Sequence, residues 1–176
     1  LIDLDSQATA TSSFGYIPDL KDSSLGIREE DTLLPFYTDP SVDSIEYAAR
    51  KTSWDQLDLI PSCLEMNSLE YTLYSEIVGD RERGLDVNQH YTALKNAVDS
   101  IKDNYDIVLI DSPPSLGVFS LNIMIASNSF IVPCPPRIHD ISSTMQFFKM
   151  FNELFSKLGK PSDSKKTSLG FLLAIA

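Results

Sequence analysis

Two kinds of apolar run alternate along the chain. Compact blocks of aliphatic residues occur at the start (Leu1 to Asp5), in LDLIPS (57–62), YDIVLID (105–111), SFIVPCPP (129–136) and SLGFLLAIA (168–176). Blocks of this kind predict short buried strands, and a run without alternation such as IVLI suits a strand covered on both faces. Between them lie helical stripes. From Ser68, residues Leu69, Leu73 and Ile77 fall at i, i+4 and i+8, until Gly79 to Gly84 interrupts the pattern. Asn88 is placed to cap a helix whose face is Tyr91, Leu94, Val98 and Ile101. LGVFSLNIMIAS reads as a further helix. The longest stripe is Ile141, Met145, Phe148, Phe151, Phe155 and Leu158, capped by Asp140 or Ser142 and ended by Gly159 and Pro161. Its aromatics read as core, with a surplus available for a subunit interface. Residues 15–55 are turn-rich and broken by Pro18, Pro35 and Pro40, with SVDSIEYAARK the best short helical piece.

Strands alternating with helices imply right-handed crossovers and an α/β fold, a mostly parallel open sheet with helices on both faces. The 176 residues suit a single domain, 1–176. Such sheets place ligands beyond the carboxyl ends of their strands, which is where Asp5 and Asp111 stand.

Composition narrows the picture modestly. With 43% hydrophobic and 22% charged residues the chain is globular, and no apolar run approaches the roughly 20 residues needed to span a bilayer. No basic region precedes an apolar stretch at the start, so no secretory signal is readable. Cys63 and Cys134 have neither disulfide-framework nor metal-ligand spacing and read as free thiols in a reducing cytoplasm. The net charge of -11 argues against nucleic-acid binding by the segment as a whole. The charge is uneven: residues 19–47 carry a net of -6 and residues 137–166 a net of +3.

An acid at a strand end is common where a sheet meets solvent. The DSPP continuation makes Asp111 more specific, because two prolines stiffen the following loop and remove two amide donors. Magnesium-assisted phosphoryl transfer fits that position, with a strand-end Asp holding Mg²⁺ directly or through its water. A second carboxylate from a neighbouring strand would orient the attacking water. Asp3 and Asp5 point to the same side of an extended strand. If regular pairing stops at Leu4, Asp5 is free to reach the site. No GxxxxGK[ST] phosphate loop is present; GDRERG lacks both the lysine and an upstream strand.

Taken together, LIDLDSQATATS resembles the segment of ParA-type partition ATPases that follows their deviant phosphate loop, hhhhDxDxQ. YDIVLIDSPPSLG resembles their Walker B strand and loop, hhhhDxPPxLG. LDLIPSCLEMNSLE is similar to the family's LxLIPxxxxLxxxE stretch, and FIVPCPP to its next strand. The resemblance covers most of 1–14 and 54–158; residues 15–53 match only loosely, through TLLPFY. It implies an ATP hydrolase that uses ATP and Mg²⁺, dimerises around two nucleotides, binds DNA nonspecifically in that state and answers to a ParB-like centromere-binding partner. It implies a cytoplasmic, nucleoid-associated protein with no membrane attachment, which segregates plasmid or chromosomal DNA. On that analogy Asp5 positions or activates the hydrolytic water, Asp111 holds Mg²⁺ through a water molecule, and Asp3 supports them. Gln7 helps order the loop, and Pro114 belongs to the nucleotide-binding loop.

The motif departs from the family at Ser6, where Pro is usual, and at Ala8-Thr9, where Gly-Asn is frequent. The missing phosphate loop is expected roughly thirty residues before Leu1, so the chain reads as an internal fragment truncated at both ends. Two alternatives stay open: a MinD-like relative of the same fold, and a non-catalytic α/β binding module. A nitrogenase-iron-protein-like reductase would need cluster-ligating cysteines in another pattern. His90 reads as a solvated or capping group. His139 and Arg137 lie near a strand-end loop, where Arg137 suits a phosphate or partner contact. Lys157, Lys160, Lys165 and Lys166 read as a solvated loop.

Overall fold

The computed structural model describes residues 1–20, 23–134, 137–157 and 170–175. They form two compact units, Leu1–Ala126 and Ser127–Ala176.

In the first unit, strand β1 (Ile2–Asp3) leads through a turn into helix α1 (Thr9–Ser13). A rim follows: β2 (Ile17–Pro18) and β3 (Gly26–Ile27) pair in parallel, then come a 3-10 turn at Glu29–Asp31 and helix α2 (Leu34–Thr38). The stretch SVDSIEYAARK yields only one 3-10 turn, Glu46–Ala48, before strand β4 (Arg50–Lys51). The short apolar face is satisfied locally there: Ile45 and Ala48 are buried, while Arg50 leaves the turn to pair with Asp31. Strand β5 (Asp58–Leu59) runs antiparallel to β4, a departure from the parallel rule.

Helix α3 (Glu65–Glu82) buries Leu69, Leu73 and Ile77, the expected stripe. It passes through Gly79 and ends at Gly84, whose φ of +71° suits a residue without Cβ. Helix α4 (Asn88–Ile101) buries Leu94, Ala97 and Ile101. Asn88 is its first residue rather than its cap, because Asp86 Oδ1 takes the Asn88 N–H at 2.9 Å. Strand β6 (Ile110–Asp111) and helix α5 (Val118–Ala126) complete the unit.

β1 lies between two partners. It pairs with β6 in parallel, Ile2 opposite Ile110 and Asp3 opposite Asp111, and Ile2 also bridges Ile60 in parallel just beyond β5. The amides alternate: Ile2 and Leu4 donate to Leu109 and Asp111, and Asp3 donates to Ile60. Ile2, Leu4, Leu59, Leu94 and Phe119 are among the fully buried side chains. β6 is less enclosed than its sequence suggests. Ile107 and Leu109 are 76% and 50% exposed, so this run is not covered on both faces by the described residues.

In the second unit, strand β7 (Ser129–Cys134), helix α6 (Ile138–Lys157) and strand β8 (Gly170–Ile175) form a parallel pair with its crossover, in register from Ser129–Gly170 to Cys134–Ile175. α6 begins at Ile138, ahead of both expected caps. Phe147 and Phe148 meet edge to face at 5.9 Å, whereas Met145, placed on the core stripe by its spacing, is 58% exposed. Pro135, Pro136, Leu158, Gly159, Lys160, Pro161, Lys165 and Lys166 lie outside the described residues, as do the side chains of Cys134, His139, Asp140, Ile141, Phe151 and Phe155.

The α/β fold class with parallel strand pairs is as expected. No helix among the described residues is long and apolar enough to cross a membrane.

Candidate active site

Regular pairing of β1 ends before Asp5, and the chain turns at once: the Ala8 amide donates to the Asp5 carbonyl at 2.8 Å. Asp5 Oδ1 accepts the Gln7 N–H at 3.0 Å, a local turn typical of aspartate. Ala8 closes the turn with φ 50° and ψ 38°, a left-handed conformation in a buried non-glycine residue. That is the position where the resembled family frequently has glycine.

Asp3 holds this turn from beneath and is 1% exposed. Its Oδ1 accepts the Asp5 N–H at 3.1 Å, and its Oδ2 accepts both the Thr11 N–H at 2.8 Å and the Thr11 hydroxyl at 2.7 Å. Thr11 Oγ1 in turn accepts the Ser62 N–H at 2.9 Å. One buried carboxylate therefore ties together the end of β1, the start of α1 and the chain leaving β5. Such hydrogen bonds are what make a buried carboxylate tolerable.

Asp5, Ser6 and Gln7 line a cleft of about 170 Å³, faced by Asn67 and Glu70 of α3 and by Pro113, Pro114 and Ser115 of the loop after β6. Of the residues singled out in the sequence, Asp5, Gln7 and Pro114 meet in this cleft. Asp111 and Asp3 adjoin it through their register pairing, and the Asp111 carbonyl accepts the Leu4 N–H at 3.0 Å. Burial and then the nearby charges of Asp3 and Asp5 push the Asp111 carboxyl above the usual carboxylate range, against the Ser112 amide, which lowers it. Asp3 and Asp5 thus stand at the end of β1 beside Asp111 of the neighbouring parallel strand β6.

A broader groove of about 470 Å³ runs along α3 past Tyr71, Ser75, Gly79 and Arg83, but none of the strand-end acids lines it. Asp19, Cys63 and Glu65 also bring ligand-type atoms within 4.8 Å of one another. Burial drives the Cys63 thiol up to about 12.

His90 departs from expectation. It is not solvated: its Nε2 lies 2.7 Å from Asp80 Oδ2, and both side chains are 11% exposed. Arg137 is exposed in the second unit. Four residues that the sequence did not single out matter here: Thr11, Ser62, Asn67 and Glu70. Of these only Glu70 carried a signal, as the last residue of the LDLIPSCLEMNSLE stretch.

A family model described as an AAA domain matches residues 1–162. SopA of Escherichia coli (strain K12) is 36% identical over 154 residues, which is 88% of this chain and 37% of SopA. The chain belongs to this AAA-domain family, of the ParA type. A plasmid partition protein from Borrelia burgdorferi B31, bound to AMPPNP, matches this ParA-type chain at 25% identity and a TM-score of 0.67, over 99% of the chain and 61% of its own length. Cobyrinic acid a,c-diamide synthase from Mycobacterium smegmatis, with bound ATP analog and magnesium, shares the fold: 24% identity and a TM-score of 0.68, over 97% of the chain and 58% of its own. The chain thus spans less than two thirds of each of these relatives.

Proposed function

We propose that the complete gene product is a ParA-type ATPase that hydrolyses ATP with Mg²⁺ as a dimer enclosing two nucleotides, and so drives segregation of plasmid or chromosomal DNA. The observation that carries this reading is the convergence of Asp3, Asp5 and Asp111 at the ends of two paired strands, beside a cleft that Asp5 and Gln7 line. The AMPPNP-bound partition relative and the magnesium-bound fold neighbour support it. The partner it calls for is a ParB-like centromere-binding protein, and the surface on which it moves is nucleoid DNA, bound nonspecifically in the ATP state.

The residues fit a hard divalent cation. Asp111 offers oxygen ligands at the strand end, and the charges of Asp3 and Asp5 add to burial in raising its carboxyl value. Bound there through water, Mg²⁺ would neutralise charge developing on the phosphates. Asp5 has one carboxylate oxygen committed to the Gln7 amide, leaving the other to orient a water at the cleft. Asp3 is buried with both carboxylate oxygens engaged, and its role is to set the Asp5 turn. Gln7 fixes the Asp5 rotamer, and Pro113 and Pro114 keep the facing loop stiff. No phosphate loop motif is among these 176 residues, so hydrolysis is proposed for the complete gene product.

Asp5→Ala in that protein is the test. Hydrolysis is expected to vanish while ATP binding persists, measured by steady-state turnover and by a fluorescent nucleotide. Turnover that partner protein and DNA still stimulate in this variant would remove Asp5 from the role.

A further inference from the structure

Glu70 is one of several acids along α3, and its spacing alone does not distinguish it. Its side chain is half-buried and lies over the first turn of α5. Glu70 Oε1 accepts the Phe119 N–H at 3.1 Å, one of the amides that a helix start leaves without an intrahelical acceptor. A carboxylate there also meets the positive end of the helix dipole. A Cβ on Gly117 would overlap the Glu70 carboxylate, so the glycine leaves the space that it fills. The same side chain forms part of the wall of the cleft with Asp5, Gln7 and Pro114.

The loop from Ser112 to Gly117 is short and contains two prolines, and three ties hold its ends besides the Leu121 amide on the Gly117 carbonyl at the start of α5. The Asp111 carbonyl receives the Leu4 amide, the Ser120 hydroxyl donates to the Ser115 carbonyl at 2.5 Å, and Glu70 receives Phe119. The Ser120 tie is local to the loop and its helix. The Leu4 tie belongs to the strand pairing. Glu70 alone among the three reaches the loop's far end from a separate helix.

We propose that Glu70 is a positioning residue for the hydrolytic site: by taking the Phe119 amide it fixes where α5 begins, and so holds the Asp111–Gly117 loop against Asp5. The inference rests on the ATPase reading above for its kinetic consequence, and on the structure alone for the tie itself. Glu70 touches none of the reacting atoms. Its effect therefore falls on turnover more than on nucleotide affinity, since a misplaced group slows chemistry without loosening distant contacts.

The test uses the complete gene product with three single variants and one double. Glu70→Ala is expected to lower kcat for ATP by about tenfold or more, with KM changed less than about twofold. Glu70→Gln keeps an oxygen acceptor and is expected to stay within about threefold of wild type. Gly117→Ala displaces the carboxylate from the other side and reproduces the loss, while adding little to Glu70→Ala in the double variant. Amide hydrogen exchange at Phe119 accelerates in Glu70→Ala and Gly117→Ala but not in Glu70→Gln. Unchanged exchange at Phe119 would overturn the tie. Faster exchange with undiminished kcat would reduce Glu70 to a helix cap. Equal losses for Gln and Ala would make the carboxylate a chemical participant instead. A wild-type protein without ATPase activity would overturn the functional reading, and the exchange arm would still report on Glu70.

Discussion

Thr11 and Asp3 are joined twice: the Thr11 amide and the Thr11 hydroxyl both donate to Asp3 Oδ2, at 2.8 and 2.7 Å, between two residues that are at most 1% exposed. The hydroxyl also accepts the Ser62 amide, so one oxygen serves β1, α1 and the end of β5. Thr11→Val keeps the shape and removes the hydroxyl. It leaves the Ser62 N–H without its acceptor and Asp3 with one donor fewer. A destabilisation of about 1–3 kcal/mol is expected from urea unfolding, the usual cost of orphaned buried polar groups.

Ala8 sits in the left-handed region, which costs an L residue about 1–2 kcal/mol. Ala8→Gly relieves that strain but increases the freedom of the unfolded chain, at about 0.5–1 kcal/mol. A net gain of about 0.5–1 kcal/mol in unfolding free energy is expected. A loss of stability in denaturant titration would contradict the turn described for Asp5–Ala8.

Asp111 stands where function and stability oppose each other. Burial and the charges of Asp3 and Asp5 raise its carboxyl value, so the ionised form is disfavoured in the folded chain. That penalty is present at neutral pH and fades as acidification protonates the group. Asp111→Asn should therefore raise Tm at neutral pH in the absence of metal. The same change should lower Mg²⁺-dependent hydrolysis on the order of a hundredfold in the complete gene product. It should also abolish any rise in Tm on adding Mg²⁺.

Asp80 links α3 to α4 with the opposite sign. Hydrogen bonds from His90 and then Arg83 hold its carboxyl below the ordinary carboxylate value, outweighing burial. Its stabilising contribution is complete above the ordinary value, about 4, and disappears as pH falls through the lowered one. Asp80→Asn is expected to lower Tm at pH 6–7, with the difference from wild type shrinking below about pH 4. Parallel Tm–pH curves would show that the pair contributes nothing through ionisation.

Asn122 supplies a packing prediction. Its buried side chain accepts from the Leu94 amide at 3.1 Å and donates to the His90 carbonyl at 2.9 Å, two groups one helical turn apart in α4. Asn122→Leu removes both bonds. A cost of about 1–3 kcal/mol is expected in thermal or urea unfolding. A near-neutral result would mean that the two α4 groups satisfy each other once the amide is gone.

The features legible in the sequence are those set by local periodicity. Leu69, Leu73 and Ile77 mark α3 because a buried stripe repeats with the helix, and the β7 and β8 blocks mark strands because they are apolar without interruption. The acids Asp5 and Asp111 were legible as strand ends. Where tertiary partners decide, the pattern misleads. SVDSIEYAARK carries a helical face but ends in β4, because Arg50 and Lys51 pair with Asp31 and Asp58. Gly79 reads as a break, yet the packing of Leu73 and Ile77 carries α3 across it. Thr11 was invisible as a site residue, since a threonine in a short helix looks solvated until its partners are in place, and Glu70 was marked only as the end of a motif, with nothing to show that it reaches α5.

The pairing of Ile2 with Ile110 joins residues about a hundred positions apart, and closing so long a loop is entropically unfavourable until the intervening helices form. The Asp3–Asp111 neighbourhood therefore belongs to the late, non-local part of folding. During synthesis the chain carries Asp3, Asp5 and Thr11 for most of the first unit's length before Asp111 emerges. The turn that presents Asp5 can be built early from its own hydrogen bonds, while the cleft beside it waits for the far strand to arrive.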